Sequence, residues 1–106
     1  MRFYRTAPGA EPVLEYLRSL PQDQRDAARK AIRSIQTHGL QAPNVSLRHV
    51  KGKLWEIRAS DQRVFYVVAG AGIVWLLHAY KKEGQKAPVG EIAVAQARMK
   101  DVLARR

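Results

Sequence analysis

Residues 53–80 read KLWEIRASDQRVFYVVAGAGIVWLLHAY, and this stretch decides the fold. Three runs of β-branched, aromatic and aliphatic residues are separated by a polar turn and by the turn GAG. Such residues favour strands, and turns this short connect antiparallel neighbours. The last run, at 73–80, is apolar on both faces, which is typical of a covered central strand. The stretch therefore predicts an antiparallel meander, to which the alternating run VSLRHV at 45–50 adds a possible fourth strand.

The segments on either side of the meander show helical periodicity. Residues 11–20, EPVLEYLRSL, space their apolar side chains by one and three, and Pro21 ends the run. A second helix is predicted from Gln22 to His38 and a final one from Gly90. The sequence therefore predicts an α+β fold: two N-terminal helices, an antiparallel three- to four-stranded twisted sheet and a C-terminal helix, with the helices packed on one face of the sheet.

The composition indicates one domain over residues 1–106. No apolar run reaches the length of about 18–20 residues that a membrane span needs, and the N-terminus lacks the apolar core of a signal peptide. With no cysteines, the chain has neither disulfides nor thiolate metal sites. We therefore expect a cytoplasmic protein without a membrane partner.

Charge is the strongest global signal, since 19 Lys and Arg residues stand against 9 Asp and Glu, for a formal net charge of +10. A compact body this positive attracts polyanions, of which nucleic acid is the first candidate and a strongly acidic protein the second. A basic surface that only serves solubility is the alternative.

The chain has no pattern typical of a metal, cofactor or nucleophile site. The three histidines have no second ligand at metal-binding spacing, and no phosphate loop or dinucleotide fingerprint is present. Glu56 and Asp61 stand alone beside the hairpin, so we expect chemistry without a carboxylate base. His78 is either a packed core residue or a site residue. Trp55 and Trp75 are expected in the core.

Basic residues cluster along the predicted sheet, in the segment from 51 to 86. Strong twist would bring KGK at 51–53 and YKK at 80–82 to the same sheet end. Alternation puts Glu56 and Arg58 on one face, and it places His78, Tyr80 and Lys82 together. These charges are either a binding site for an anion or solvated strand ends, each worth little. The basic residues concerned are Lys51, Lys53, Arg58, Arg63, Lys81, Lys82 and Lys86.

The segments KGKLWEIRASDQRVFYVV at 51–68 and IVWLLHAYKKEGQKAPVGEIAVAQARMKDVL at 73–103 resemble toxins of the RelE/ParE superfamily, in the phage-related HigB-like branch. The likeness lies in the order LWEIR, RVFY, LLHAYKK and KAP, followed by a helix, and it covers roughly residues 10–103. The resemblance implies a type II toxin that cuts messenger RNA on the translating ribosome, without metal or cofactor. It also implies a cognate antitoxin, of the helix-turn-helix HigA-like kind, as partner.

The resemblance also implies roles for individual residues. Arg58 matches a strand arginine expected on the scissile phosphate, and Lys82 or Lys81 matches the basic residue that ends the last strand. Many members carry a tyrosine or histidine in the last helix, and this chain has neither. Either His78 or Tyr80 replaces that catalytic group, or the lysines alone support cleavage. The expected catalytic residues are Arg58, Lys82, Lys53, His78 and Tyr80; the expected RNA-binding residues are Lys51, Arg63, Lys81 and Lys86.

Two hypotheses from other classes stay open at this point. One is a ParE-like protein that inhibits gyrase without being an enzyme. The other is a non-catalytic nucleic-acid-binding phage accessory protein. For Arg63, a sheet-stabilising contact with a carboxylate or carbonyl is an alternative to RNA binding. The hypothesis of an RNA-cleaving toxin requires Lys53, Arg58 and Lys82 to converge on one anion-sized hollow.

Overall fold

The computed structural model describes residues 1–86 and 88–105. Its helices and strands follow the predicted order, with one short strand added at the N-terminus. In chain order they are β1 (Arg2–Phe3), α1 (Pro12–Ser19), α2 (Gln22–His38), a 3₁₀ turn (Gly39–Gln41), β2 (Ser46–Lys51), β3 (Leu54–Ala59), β4 (Gln62–Ala69), β5 (Ile73–Lys81) and α3 (Val89–Ala104).

The five strands form one mixed sheet in the order β1-β5-β4-β3-β2. Strands β2 to β5 make the predicted antiparallel meander. Strand β1 pairs in parallel with β5, Arg2 opposite Trp75 and Phe3 opposite Leu76. The prediction of three or four antiparallel strands missed β1 because two residues carry no periodicity.

The N-terminal helices cover one face of the sheet. Val13 and Leu17 of α1 and Ile32 of α2 are buried against Ile57 and Leu76 of the sheet. The stripes found in the sequence are therefore the residues that form this core. Pro12 stands in the first turn of α1, where its missing N–H costs nothing.

Helix α3 covers the opposite face, which corrects the expectation that the helices share one face. Ala95 and Val102 of α3 pack on Leu54, Phe65 and Leu77. Because β4 and β5 have helices on both sides, their side chains are buried in both directions. This burial explains why IVWLLHAY is apolar on both faces of the strand.

A β-bulge in β5 interrupts the alternation of side chains. Phe65 pairs with His78, but the next residue, Tyr66, pairs with Leu76, so Leu77 is the extra residue. Leu77 lies in the α3-side core, and His78 also reaches α3. Two consecutive side chains thus face α3, as an extra residue in one strand allows.

The C-terminal turn of α3 is tied to the chain that follows β1. The Tyr4 hydroxyl donates to Asp101 Oδ2 at 2.7 Å, and Arg105 Nη2 donates to the same oxygen at 2.6 Å. Both hydrogen bonds lower the pKa of the Asp101 carboxyl, that from Tyr4 foremost. This contact joins the end of α3 to the segment after β1.

None of the helices in the described part of the chain is long and apolar enough to span a membrane. Trp55, expected in the core, is 39% exposed and rests edge-on against His49, at a ring separation of 5.2 Å.

Candidate nucleic-acid interface

A cavity of about 330 Å³ opens on the α3 face of the sheet, where β3 and β5 end and β4 begins. Strands β2 to β5 form its floor, and the segment that leads into α3 closes one side. Its lining is Arg48, His49, Val50, Glu56, Arg58, Arg63, Phe65, Tyr80, Lys82, Gln85, Pro88 and Ile92.

Strand register explains why these side chains meet. Arg58 pairs with Arg63, which pairs with Tyr80, so the three form one row across the sheet. The next row runs from Arg48 to Glu56 to Phe65. Arg58 and Arg63 are like charges directly opposite each other, an arrangement that destabilises a sheet. A bound anion would remove that repulsion.

Arg63 is held by backbone carbonyls at the β3–β4 turn. Its Nη1 donates to the carbonyl oxygen of Ser60 at 2.7 Å and to that of Gln62 at 2.9 Å. Ser60 has φ 56°, the left-handed conformation that so short a turn requires. The carbonyl contact anticipated for Arg63 is therefore confirmed, and the guanidinium still lines the cavity.

Lys82 follows directly after β5 and is half-buried. Its backbone N–H donates to the carbonyl of Asp61 at 2.7 Å, which fixes the strand end to the β3–β4 turn. Its Nζ donates to the carbonyl of Lys86 at 3.1 Å. A carbonyl leaves the ammonium charge uncompensated, so Lys82 remains available to an anion in the cavity.

Glu56 contributes a carboxylate to this otherwise cationic wall. The residue is only 5% exposed, and no Lys, Arg or His among the described residues lies within ion-pair distance of it. The expectation that the chain offers no carboxylate for catalysis is thus corrected. The sequence held one signal, since alternation placed Glu56 on the face of Arg58. Arg48 pairs with Glu56 from β2, and this neighbour is known only once the strand register is known.

Tyr80 is 8% exposed and stacks on Phe65, with ring centroids 5.4 Å apart. Burial, foremost, and the nearby Glu56 carboxylate raise the pKa of its hydroxyl to about 12, against the opposing effect of Arg63. Tyr80 therefore keeps its proton at neutral pH. It is a hydrogen-bond donor to whatever occupies the cavity.

His78 lies beside the cavity and does not line it. Its Nε2 is 2.8 Å from Glu91 Oε1, and Arg98 Nη1 is 3.2 Å from its Nδ1. Arginine only donates, so Nδ1 accepts and Nε2 carries the hydrogen that Glu91 receives. With both ring nitrogens occupied, the geometry gives no support to proton transfer by His78. The ring instead braces Phe65 and Tyr80, parallel to both.

Glu91 and Arg98 are residues of α3 that sequence reasoning missed in this context. Glu91 stands in the first turn of α3, where a negative charge also favours the helix. Arg98 also donates to the carbonyl of Leu77 at 2.9 Å, beside the bulge. Helix α3 therefore brings to the site the pair that fixes His78 rather than a reactive group.

The structure separates the basic residues that the sequence grouped. Arg58, Arg63, Lys82 and Tyr80 line one cavity, whereas Lys53 does not. Gln62 at the start of β4 pairs with Lys81 and with Ala59, so the end of β5 adjoins the end of β3. The expected approach of KGK to YKK is therefore wrong.

The remaining predicted RNA-binding residues lie outside the cavity lining. Lys51 ends β2 and is exposed, as are Lys81 and Lys86. Their binding roles stay predictions. Lys53, expected as a catalytic residue, is exposed just before β3 begins. Within residues 1–86 and 88–105, no group of three or more His, Asp or Glu side chains is placed to hold a metal ion.

A family model described as phage derived protein Gp49-like (DUF891) matches residues 15–100. The chain belongs to this Gp49-like family. The match extends from α1 to α3 and includes every residue that lines the cavity. No curated protein sequence gives a significant match to the chain.

Proposed function

We propose that this Gp49-like protein is the toxin of a type II toxin–antitoxin system and that it cleaves messenger RNA on the ribosome. Its phage-derived family is generally placed within the RelE/HigB-like toxin superfamily, which is compatible with a toxin. The observation that carries the proposal is the cavity itself. Three arginines and a lysine surround one buried carboxylate and one un-ionised tyrosine there.

The proposed reaction is an internal transesterification of RNA. The 2′-oxygen of the nucleotide before the cut attacks the adjacent phosphorus, and the bond from phosphorus to the 5′-oxygen breaks. The products are a 2′,3′-cyclic phosphate and a 5′-hydroxyl. The step needs one proton removed from the 2′-hydroxyl, one given to the leaving oxygen, and stabilisation of the charge on the phosphoryl oxygens.

The cations supply the charge stabilisation. Arg63 is buried and Lys82 half-buried, so water screens their charges less than it does at an open surface. Arg58 and Arg48 have no carboxylate within ion-pair distance among the described residues, so their donors are free for phosphate oxygens. Arginine binds phosphate through two parallel N–H groups, which positions as well as neutralises it.

Glu56 and Tyr80 are suited to the two proton transfers. The Glu56 carboxylate lines the cavity, where it would accept a proton from the 2′-hydroxyl as the oxygen attacks. Tyr80, with its pKa raised to about 12, does not ionise at neutral pH but does protonate a departing alkoxide, which is a stronger base. We assign Glu56 as base and Tyr80 as acid.

The proposed toxin has partners of two kinds. Messenger RNA and the ribosome provide the substrate, and a cognate helix-turn-helix antitoxin restrains the activity. A cell that expresses the chain without its antitoxin is expected to stop protein synthesis, with the cut messages detectable by primer extension. Because side chains supply all positive charge in the proposed step, chelation of metal ions should leave the cleavage unchanged.

The test is induced expression of the wild type, Arg58→Ala, Glu56→Gln and the control Lys100→Ala. Lys100 is exposed on α3 and lies outside the cavity. Wild type and control should arrest translation and cut messages at discrete positions, whereas each cavity variant should lose about a hundredfold or more of the cleavage rate. Arrest with uncut messages and a DNA-damage response would favour gyrase inhibition instead. Retention of cleavage in Arg58→Ala would refute the site.

A further inference from the structure

A second concave surface lies on the side of the molecule away from the RNA cavity. It is a groove of about 430 Å³ between β1, α1 and α2, and these helices cover the sheet face opposite to α3. We call it the arginine groove. Its lining residues are Phe3, Leu14, Leu17, Arg18, Arg25, Arg29, Ile32, Arg33 and Gln36.

The groove combines an apolar floor with cationic walls. Leu17 and Ile32 are buried in the floor, and Leu14 and Phe3 are partly buried beside them. Arginines stand on both walls, with one on α1 and three on α2. Those four arginines are Arg18, Arg25, Arg29 and Arg33.

The arginines have no acidic partners within the chain. In residues 1–86 and 88–105 the carboxylates within ion-pair distance of a basic side chain are Asp101, beside Arg105, and Glu91, beside His78, and neither lies in the groove. Arg25, Arg29 and Arg33 follow one another at intervals of four, so they stand on one helix face about 6 Å apart along its axis. Like charges at this spacing destabilise a helix. The repulsion is relieved when carboxylates lie between them.

The floor decides which polyanion fits. RNA backbone presents phosphate and sugar, and it gains nothing from aliphatic side chains such as Leu14 and Ile32. Base recognition would need aromatic platforms, and the groove lining has one ring, Phe3. An amphipathic helix offers both chemistries, because its apolar stripe fills a floor and its flanking carboxylates meet the arginines. Carboxylates four residues apart on such a helix repeat at the same interval of about 6 Å.

We propose that the arginine groove binds an acidic amphipathic helix of a partner protein. The inference concerns binding alone and does not depend on RNA cleavage. Because the groove and the RNA cavity lie on opposite faces, both sites can be occupied at once.

The probe is a fluorescent, helix-stapled peptide of about five turns, or roughly 18 residues, with leucines along one stripe and glutamates elsewhere. A scrambled peptide of the same composition, stapled in the same way, tests whether the stripe matters. A single-stranded oligouridylate of about 12 nucleotides tests the RNA alternative. Fluorescence anisotropy at physiological salt gives each Kd, and NMR chemical shifts locate the bound peptide.

Two double variants with equal charge change separate the groove from net charge. Arg29→Glu with Arg33→Glu alters the groove, and Arg5→Glu with Lys100→Glu alters exposed positions elsewhere. Circular dichroism checks that each stays folded. The groove pair should raise the Kd for the amphipathic peptide by about a hundredfold, and the control pair should raise it by less than about fivefold.

A third variant tests the apolar floor without changing charge. Leu14→Ser should raise the Kd for the same peptide by about fivefold or more. Leu14 is only partly buried, so it offers contact area to a ligand. The proposal is overturned if both charge pairs weaken binding equally, or if the scrambled peptide binds as well. It is also overturned if the groove pair abolishes binding of oligouridylate and leaves that of the peptide intact.

Discussion

The two ends of strand β3 carry similar sequence features in different surroundings. At its start, Lys51 and Lys53 flank a glycine turn, and the nearest aromatic residue, Trp55, is exposed. At its end, Arg58 faces Arg63 across a turn of the same length. Arg58 is exposed as well, but Arg63 is buried, Lys82 is half-buried, and all three line one cavity. The comparison teaches that a basic run forms a concave binding surface only where neighbouring strands place further cations beside it.

The largest expected difference between the two ends is catalytic. Arg58→Ala combined with Lys82→Ala should lower messenger cleavage by roughly ten-thousandfold, or about 5.5 kcal/mol, because both side chains line the cavity and would donate to the same phosphate. Lys51→Ala combined with Lys53→Ala should change it less than about tenfold, since neither side chain lines the cavity and isolated exposed charges contribute little. Cleavage by purified, translating ribosomes supplied with each variant gives the rates. A larger loss from the lysine pair would reverse the assignment of the two ends.

Sequence reasoning predicted most of the elements because their patterns are local. The predicted helix from Gln22 to His38 has the same bounds as α2, and the short polar turn predicted between two strands is the β3–β4 turn. Strand β1 lies beyond this kind of reasoning, because Arg2 and Phe3 become a strand only by pairing with β5.

The site was predicted in part for the same reason. Arg58 and Lys82 belong to one cavity, as the resemblance implied, whereas Lys53 failed to join them because antiparallel register sends it to the far end of the sheet. Glu56 was set aside as an isolated acid. Its burial among cations depends on Arg48 from β2 and on the position of α3, and neither follows from alternation along one strand.

A second difference between the two ends should appear in folding stability. Phe65 is fully buried beneath the cavity and stacks on Tyr80, so Phe65→Ala should lower the free energy of unfolding by about 3–4 kcal/mol. Trp55→Ala, at the other end, should cost about 1 kcal/mol because the ring is already partly in water. Urea denaturation gives both values. Equal losses would show that the start of β3 is packed as firmly as its end.

The cavity end should also be sensitive to alkali through Tyr80. Its pKa is about 12 in the folded protein against 10.0 for an ordinary tyrosine. Below pH 10 both states hold the proton, and between pH 10 and 12 the unfolded state releases it first, so stability falls as pH rises. The two pKa units amount to about 2.7 kcal/mol.

Comparison with Tyr80→Phe isolates this contribution from the other tyrosines with raised pKa values, Tyr4, Tyr16 and Tyr66. The wild type should lose up to about 2 kcal/mol more than the variant as pH rises from 9 to 12, because half of the folded molecules still hold the proton at pH 12 and water near the hydroxyl screens part of the effect. Chemical denaturation across this range measures the difference. A stability difference that stays constant would mean that the Tyr80 hydroxyl ionises as readily as one in water.

The smallest expected effect distinguishes two histidines of the sheet, His49 on β2 and His78 on β5. His49 Nε2 approaches the Gly52 carbonyl at 2.8 Å in an exposed turn, whereas His78 is held at both nitrogens by Glu91 and Arg98. The neutral His78 ring should therefore adopt one tautomer, with hydrogen on Nε2, which long-range ¹H–¹⁵N correlation spectra detect. Arg98→Ala should release Nδ1 and mix the tautomers of His78, while Lys100→Ala should not.

The accompanying loss of stability in Arg98→Ala should stay near 1 kcal/mol, because these groups are partly exposed and water replaces the guanidinium. The tautomer matters more than the energy. With hydrogen on Nε2, the ring stays parallel to Phe65 and Tyr80, and the Tyr80 hydroxyl stays directed at the cavity. If the wild-type ring carries hydrogen on Nδ1, then Arg98 does not contact it, and the alignment of Tyr80 depends on Phe65 alone.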